Sequence, residues 1–297
     1  MVDIRKALTT TTGDAIIPEE IDKIITDIAI KETPVLSLFK EIPWDTNSFE
    51  WNERTALVTA AAYSESSTFS ETNSTYSRAT VSIKMVKTDG AVTNLLQLTS
   101  KSYINALQTE IESASANIGQ EIERLYIQGN VGLTSAEFNG LSNLVSQTSD
   151  AAGASISLDI LDDGIDAVIL GTGKPGLILV ANRDLFELGT IMRENMSYYW
   201  EKMEVAAGNK LTTYRGIPIV GSHFVPTTEG GSGWNSYAFV LDLSQIVVPV
   251  VLPLKYEDMT AKVTSDSIAF RIKTYRALAV KAGGYRHCRI TNIGRPV

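Results

Sequence analysis

The sequence predicts an α+β fold, and three features carry this prediction: a long Ser/Thr-rich hairpin, a long amphipathic helix, and a module in which helices and strands alternate. The 297 residues are 44% hydrophobic and 20% charged, which is typical of a globular protein with a large buried core. No apolar run could cross a bilayer, and no apolar signal core follows the first charged residues. The one cysteine, Cys288, permits no internal disulfide. We therefore expect synthesis in a reducing cytoplasm and no membrane contact.

Residues 1–43 are predicted to form an N-terminal arm. Pro18 suits the first turn of a helix, and apolar residues follow it at helical spacing: Ile21, Ile24, Ile25 and Ile28. Pro34 ends that helix. A second apolar patch precedes Ile42-Pro43: Val35, Leu36, Leu38 and Phe39. Both patches come before any obvious core, so we expect the arm to dock on another surface and to drive assembly.

Residues 44–90 are predicted to form a long hairpin. Ten of the 17 residues from Ser64 to Thr80 are Ser or Thr, yet no Gly or Pro lies between Pro43 and Gly90. A flexible tether would normally contain both. The flanks alternate in the manner of strands, with apolar residues two positions apart: Phe49 and Trp51, then Val81, Ile83 and Met85. The pattern predicts two strands that stand away from their own core and rest on something else.

Residues 91–154 contain the strongest helix signal. Thr99 or Ser100 can cap this helix, and apolar residues recur every three or four positions: Ile104, Leu107, Ile111, Ala114, Ile118, Ile122 and Leu125. Roughly 28 residues at 1.5 Å each give a strut of about 40 Å. Because Gly119 weakens a helix, we expect something to pack closely against it.

Residues 155–250 are predicted to form a compact α/β module. A capped helix from Ser155, the buried strand LILV, a second capped helix NRDLFELGTIM and further strands follow one another, with a flexible loop at 229–233. Residues 251–297 contain alternating strands with nine Lys or Arg and three acids, a net charge of +6 against −14 for residues 1–250. A basic segment can bind nucleic acid, but the strand pattern favours pairing with acidic surfaces of the same or a neighbouring chain.

Motifs that suggest chemistry have simpler explanations. Gly171-Thr-Gly-Lys-Pro-Gly176 follows a predicted helix and precedes a strand, the reverse of a phosphate loop, so we interpret it as a turn. His287 and Cys288 are adjacent on a strand and face opposite sides, and His223 has no nucleophile motif to serve. Three acids are explained by a helix start, where carboxylates are favourable: Asp159, Asp162 and Asp163. We expect no catalytic residue, cofactor or metal.

Several segments along nearly the whole chain belong together: Ile16-Ile-Pro-Glu-Glu-Ile21 and Val35-Leu-Ser-Leu-Phe39 in the arm, Ala61-Ala-Tyr-Ser-Glu65 and Val81-Ser-Ile-Lys84 in the hairpin, residues 121–130 with Asn139-Gly-Leu141 at the end of the long helix, and Arg215-Gly-Ile-Pro-Ile-Val220 in the module. In this order they resemble the major capsid proteins of tailed bacteriophages, which share the Hong Kong 97-like fold. The resemblance implies a spine helix and five parts: arm 1–43, extended loop 44–90, peripheral domain 91–154, inserted axial domain 155–250 and peripheral C-terminal strands 251–297.

The resemblance further implies a non-enzymatic, self-assembling protein of the virion, made in the host cytoplasm. Hexamers and pentamers would close into an icosahedral shell around double-stranded DNA, with only non-specific DNA contact. Scaffolding, portal and decoration proteins are the further partners it suggests. The hairpin would lie across a neighbouring subunit, and its candidate interface residues are Trp51, Glu65, Phe69, Glu71, Tyr76 and Arg78.

Two alternatives remain open at this point. One is an encapsulin-type nanocompartment, which resembles the same fold but encloses cargo. The other is a small-molecule enzyme built on residues 155–250, with the hairpin as a dimerisation arm. The family's founding member crosslinks a loop lysine to a neighbour's asparagine, but no lysine lies between Lys40 and Lys84 here, so we expect no such crosslink.

Overall fold

The structure, a computed structural model, describes residues 32–68, 71–100, 105–194, 202–205, 209–230, 233–262 and 265–294. The predicted helix after Pro18 and the candidate interface residue Phe69 lie outside them. The helices within these residues are α1 (Asn94–Ser100), α2 (Ala106–Gln128), α3 (Leu141–Leu144), α4 (Leu158–Leu170) and α5 (Asn182–Glu194). The strands within them are β1 (Lys40–Pro43), β2 (Ser48–Ala56), β3 (Thr75–Ser82), β4 (Lys84–Thr93), β5 (Thr148–Asp150), β6 (Leu177–Ala181), β7 (Lys202–Val205), β8 (Asn209–Tyr214), β9 (Ile217–Ser222), β10 (Thr227–Gly230), β11 (Gly233–Leu241), β12 (Ile246–Asp258), β13 (Ser267–Arg276), β14 (Ala279–Val280) and β15 (Cys288–Ile293).

Two mixed sheets form the body of the protein. The smaller sheet has the order β1-β12-β13-β4, with β14 beside β12 and β1 parallel to β12. The larger sheet has the order β5-β15-β11-β6-β9-β8-β7, with β10 beside β11. Among the described strands, β2 and β3 pair with each other alone. The predicted hairpin therefore stands outside both sheets.

The long helix is α2, and it packs its apolar face on the smaller sheet. Its buried residues include Ile118, Ile122 and Leu125, which share one core with Phe270 of β13. The predicted cap was wrong: Asn105 caps α2, and its side-chain oxygen accepts from the amide of Gln108 at 3.3 Å. Thr99 lies inside α1, where its hydroxyl donates to carbonyls one turn back. At 1.5 Å per residue, the 23 residues of α2 span about 34 Å.

The second half of the arm docks on its own chain. Val35 and Phe39 are buried, and the Phe39 ring centroid lies 5.8 Å from that of Tyr126 on α2. Leu36 packs over Gly119, with its Cδ1 at 3.7 Å from where a Cβ would stand, which is the close contact expected there. The expectation that both apolar patches lack an intrachain partner is therefore wrong for the second patch. The first patch lies outside the described residues.

The ends of the hairpin and of the closing strands also differ from expectation. Residues 84–90, placed in the hairpin by the sequence pattern, belong to β4, which pairs along its whole length with β13. Gly90 makes this pairing possible, since a Cβ there would lie 2.5 Å from the Phe270 ring. The closing strands divide between the sheets: β13 joins the smaller one, and β15 pairs with β11 in the larger one. Strand alternation is a local signal and does not reveal the partner strand.

Candidate assembly surfaces

The hairpin is a two-stranded ribbon with mostly exposed residues. β2 and β3 pair from Ser48 opposite Ser82 to Ala56 opposite Thr75, and Phe49 alone among them is buried. Beyond the strands, residues 57–68 and 71–74 are exposed or nearly so. An isolated two-stranded ribbon is only marginally stable in water. The hairpin therefore needs a partner surface.

The base of the hairpin is attached to its own chain by aromatic and polar contacts. The Phe49 ring lies 4.8 Å from that of Trp44 and 5.7 Å from that of Trp51, measured between centroids. Glu53 Oε1 accepts from the Trp51 indole at 2.6 Å and from the backbone amide of Ala282 at 2.7 Å. Trp51, predicted as an interface residue, is thus half-buried at the base and helps to orient the hairpin.

The other predicted interface residues divide between the tip and β3. Glu65 and Glu71 are exposed at the tip. Tyr76 is 66% exposed on β3. Arg78 contacts β2 of its own hairpin, because it lies 3.6 Å from a Glu50 carboxylate oxygen and donates to Asn52 at 3.4 Å. The structure therefore brings Glu65 and Glu71 to one end, and its described residues do not include Phe69.

Sequence reasoning missed two groups of exposed apolar side chains. One surrounds the hairpin tip and comprises Leu57, Val58 and Tyr63. The other covers α1 and comprises Leu95, Leu96 and Leu98. A usable signal was present, since helix α1 carries leucines at adjacent positions and not on one helical stripe. Exposed apolar side chains of this kind are typical of surfaces covered in an assembly.

A buried carboxylate joins the arm, the spine helix and the larger sheet. Glu123 of α2 is fully buried, and its Oε2 accepts from the amide of Val35 at 2.9 Å. Its Oε1 accepts from the Ser222 hydroxyl of β9 at 2.6 Å. Burial raises the pKa of this carboxyl above its usual value, and the bonds from Ser222 and the arm amides oppose that rise. Helical periodicity could not indicate a buried glutamate, because its partners lie far away in the chain.

Basic residues of the closing strands pair with acids of the same chain. Arg271 pairs with Asp89 across β13 and β4, and the pKa of Asp89 falls to about 2 through hydrogen bonds from Arg271 and Lys87. Lys273 pairs with a Glu257 carboxylate oxygen at 2.9 Å. The predicted pairing is confirmed for these residues.

Arg276 makes a further, more buried pair. Its guanidinium bonds the Tyr126 hydroxyl at 3.0 Å and a Glu41 carboxylate oxygen at 3.1 Å. Its side chain is only 6% exposed. This cation therefore joins the arm strand β1 to α2 and β13.

Two residues that suggested chemistry, His287 and Cys288, are buried. His287 lies buried between the carbonyl of Lys281 and the amide of Asp242, and burial lowers its pKa to about 4. Burial raises the pKa of Cys288 to about 11, so its thiol stays protonated. Residues 171–176 form the turn from α4 to β6, as predicted. No cluster of three His, Cys, Asp or Glu suited to a metal occurs in the described part of the chain.

The model of the SU10 major capsid protein family matches residues 6–294. The chain belongs to this family. Because it belongs to this family, it is a phage major capsid protein, a structural component of the virion, as the resemblance implied. No curated protein matches it by sequence.

Solved structures agree on the fold. The chain is similar to a subunit in the cyanophage A-1(L) capsid asymmetric unit, with a TM-score of 0.77, 14% identity and coverage of 97% of this chain and 100% of that one. It is similar to a chain of Mycobacterium phage Ogopogo, with a TM-score of 0.69, 16% identity and coverage of 96% and 99%. It is also similar to the holo-SrpI encapsulin complex from Synechococcus elongatus PCC 7942, with a TM-score of 0.73, 15% identity and coverage of 97% and 96%.

These likenesses confirm the Hong Kong 97-like fold for this capsid protein. The encapsulin shares the fold, but the family match favours the phage capsid over the nanocompartment. None of the helices among the described residues is long and apolar enough to pass through a bilayer.

Proposed function

We propose that this capsid protein forms hexamers and pentamers of an icosahedral shell that encloses viral double-stranded DNA. The observation that carries the proposal is the hairpin, which is anchored at its base and otherwise exposes both faces of a ribbon that is marginal alone. In such a shell, each hairpin lies across the next subunit. The contacts of one hairpin are weak, but every copy repeats them.

The parts of the chain take the roles that the family resemblance gives them. The first part of the arm (1–31) binds a neighbour, the extended loop ends near residue 83 and not at 90, and α2 with the smaller sheet forms the peripheral domain. The axial domain (155–250) also recruits β5 and β15, which join the larger sheet. We propose that shell subunits meet around the axial domain and along the peripheral domain.

The shell role requires no catalysis. Both ring nitrogens of the buried His287 are engaged by backbone groups, and the thiol of Cys288 stays protonated at neutral pH. Assembly takes place in the host cytoplasm before DNA enters, with scaffolding, portal and decoration proteins as further partners. Contact with DNA is non-specific, as the family resemblance implies.

Electron microscopy and sedimentation of the purified protein test this proposal. Closed icosahedral particles are the expected result. A dimer or tetramer at all concentrations would contradict it and would favour the enzyme alternative. Particles that co-purify with a cargo enzyme in place of DNA would favour a nanocompartment, the reading that the SrpI likeness supports.

Two truncations separate folding of the subunit from assembly. Deleting residues 1–31 keeps Val35, Phe39 and β1, so the subunit should fold but form capsomers without shells. Deleting residues 1–43 also removes the buried Val35 and Phe39, so this subunit should unfold or aggregate. Regular shells of normal size from residues 32–297 would show that residues 1–31 are dispensable for assembly.

A further inference from the structure

An open cleft of about 520 Å³ lies beside the outer half of β2. Its other walls are two turns, residues 170–172 after α4 and residues 281–286 after β14. The lining includes Arg54, Leu170, Lys281, Tyr285 and Arg286. The cleft is thus formed jointly by the hairpin and by the body of the subunit.

The walls of this cleft are held in place by short-range packing. Glu53 binds the amide of Ala282, which joins β2 to the second turn. Gly171 leaves no room for a Cβ beside the carbonyl of Tyr285, so the two turns touch. Gly283 likewise has no room for a Cβ beside the carbonyl of Leu144. The cleft therefore exists before any partner arrives, which lowers the cost of binding.

The cleft is positively charged and partly apolar. None of Arg54, Lys281 and Arg286 forms an ion pair with another described residue. The only acid in the lining, Glu53, is engaged by Trp51 and Ala282. On the rim, Leu170 is 76% exposed and Tyr285 is 64% exposed. This combination suits an acidic segment that also carries apolar side chains.

The hairpin tip is a segment of that kind. Between Arg54 and Arg78 the chain has two acids, Glu65 and Glu71, and no Lys or Arg. Both acids are exposed, and exposed apolar side chains flank them: Leu57, Val58 and Tyr63. No described tip residue lines the cleft of its own chain. A tip of another copy is therefore the occupant that the charges favour.

We propose that the hairpin tip of one subunit docks in this cleft of the next, with Glu65 and Glu71 facing Arg54, Lys281 and Arg286. The inference rests on the proposed shell, and it names the surface that receives the hairpin. Tip and cleft are different surfaces of one chain, so the contact is head-to-tail, and such contacts close into rings when the rotation permits. Each subunit then gives one tip and receives one.

Charge reversal tests the pairing. We expect Arg54→Glu with Arg286→Glu, or Glu65→Lys with Glu71→Lys, to lower the yield of sedimenting shells at least about tenfold, because like charges then meet. The chain with all four substitutions should recover to within about twofold of the wild type. Lys174→Glu and Asp166→Lys reverse exposed charges outside the tip and cleft and serve as controls. If the fourfold chain assembles no better than either pair, the charge pairing is refuted.

Disulfide trapping gives a second readout that does not depend on yield. Assembled shells carrying Glu65→Cys and Arg286→Cys should give a reducible ladder of subunit multimers after mild oxidation, whereas Glu65→Cys with Asp159→Cys should not. The native Cys288 is buried and stays out of the reaction. Shells that form normally without a ladder would refute the tip-in-cleft contact and leave the capsid function intact. Absence of shells from the wild-type chain would instead refute the proposed function.

Discussion

The effect of replacing Glu123 can be estimated, because its carboxylate accepts hydrogen bonds from two buried donors. The change to Ala removes the acceptor for the Val35 amide and for the Ser222 hydroxyl. A buried polar group left without a partner costs about 1–3 kcal/mol, and removal of a desolvated carboxylate returns part of that cost. We therefore expect Glu123→Ala to lower the free energy of unfolding by about 2–4 kcal/mol. Glu123→Gln keeps the shape and can still accept from Val35 and donate to Ser222.

The pH dependence of these variants has a definite sign. Burial raises the pKa of Glu123 in the folded chain above 4.5, so the folded state holds this proton more tightly than the unfolded state. The stability that the raised pKa supplies is full below pH 4.5 and is lost as pH rises through the folded value. Since Gln does not titrate, the stability of Glu123→Gln relative to the wild type should increase from acid to neutral pH.

Hydrogen exchange and thermal melting check this reasoning. In Glu123→Ala, the Val35 amide should exchange about 30- to 700-fold faster, which corresponds to about 2–4 kcal/mol at 1.4 kcal/mol per tenfold. In Glu123→Gln, that amide should stay protected. Equal protection of Val35 in the Ala variant and the wild type would show that Glu123 does not hold the arm.

Three further outcomes follow from the fold. Gly90→Ala places a methyl group 2.5 Å from the Phe270 ring, so the melting temperature should fall by the equivalent of about 1–3 kcal/mol. Adding Phe270→Leu should restore part of the lost stability. An unchanged melting temperature in Gly90→Ala would contradict the packing. Shells should melt earlier at about 1 M than at about 0.1 M NaCl, because partly exposed pairs such as Arg271 with Asp89 are screened, and isolated subunits should bind duplex DNA poorly. We expect no covalent crosslink between subunits, because Lys84, the first lysine after Lys40, lies at the start of β4 and donates to the carbonyl of Ser135 at 2.8 Å. Boiled shells should therefore give a single band near 32 kDa on a denaturing gel, and a reductant-resistant ladder would refute this.

Local patterns predicted the elements well, because each depends on neighbours in the chain. The alternation around Phe49 and Val81 predicted β2 and β3, and the serine at 157 caps α4 through the amide of Ile160. The turn at residues 171–176 was also predicted, since glycine and proline punctuate the chain regardless of tertiary structure. The order of these elements was enough to indicate the capsid fold.

Tertiary partners could not be predicted in the same way. β4 continues the alternation of β3 with a break of a single residue, Ile83, and only its pairing with β13 separates it from the hairpin. The arm residue Val35 looked unpartnered because its acceptor, Glu123, lies 88 residues away on a helix face expected to be apolar. The basic cleft was equally invisible, since Arg54 and Arg286 lie far apart in the chain and are brought together by tertiary contacts such as that of Glu53 with Ala282.

Glu53 and Glu123 anchor the hairpin and the arm, respectively, by the same kind of hydrogen bond. Each is a carboxylate that accepts from a distant backbone amide, that of Ala282 for the hairpin and that of Val35 for the arm. A hydrogen bond to a backbone amide is directional, so it fixes how the segment leaves the body of the subunit. Apolar contacts at the tip of the hairpin are not needed for this purpose, and Leu57, Val58 and Tyr63 remain exposed for a neighbour. Orientation set by polar anchors and affinity supplied by exposed tips are therefore separate properties, and Glu53→Ala, which removes the acceptor for Trp51 and Ala282, should disturb the first without changing the residues that supply the second.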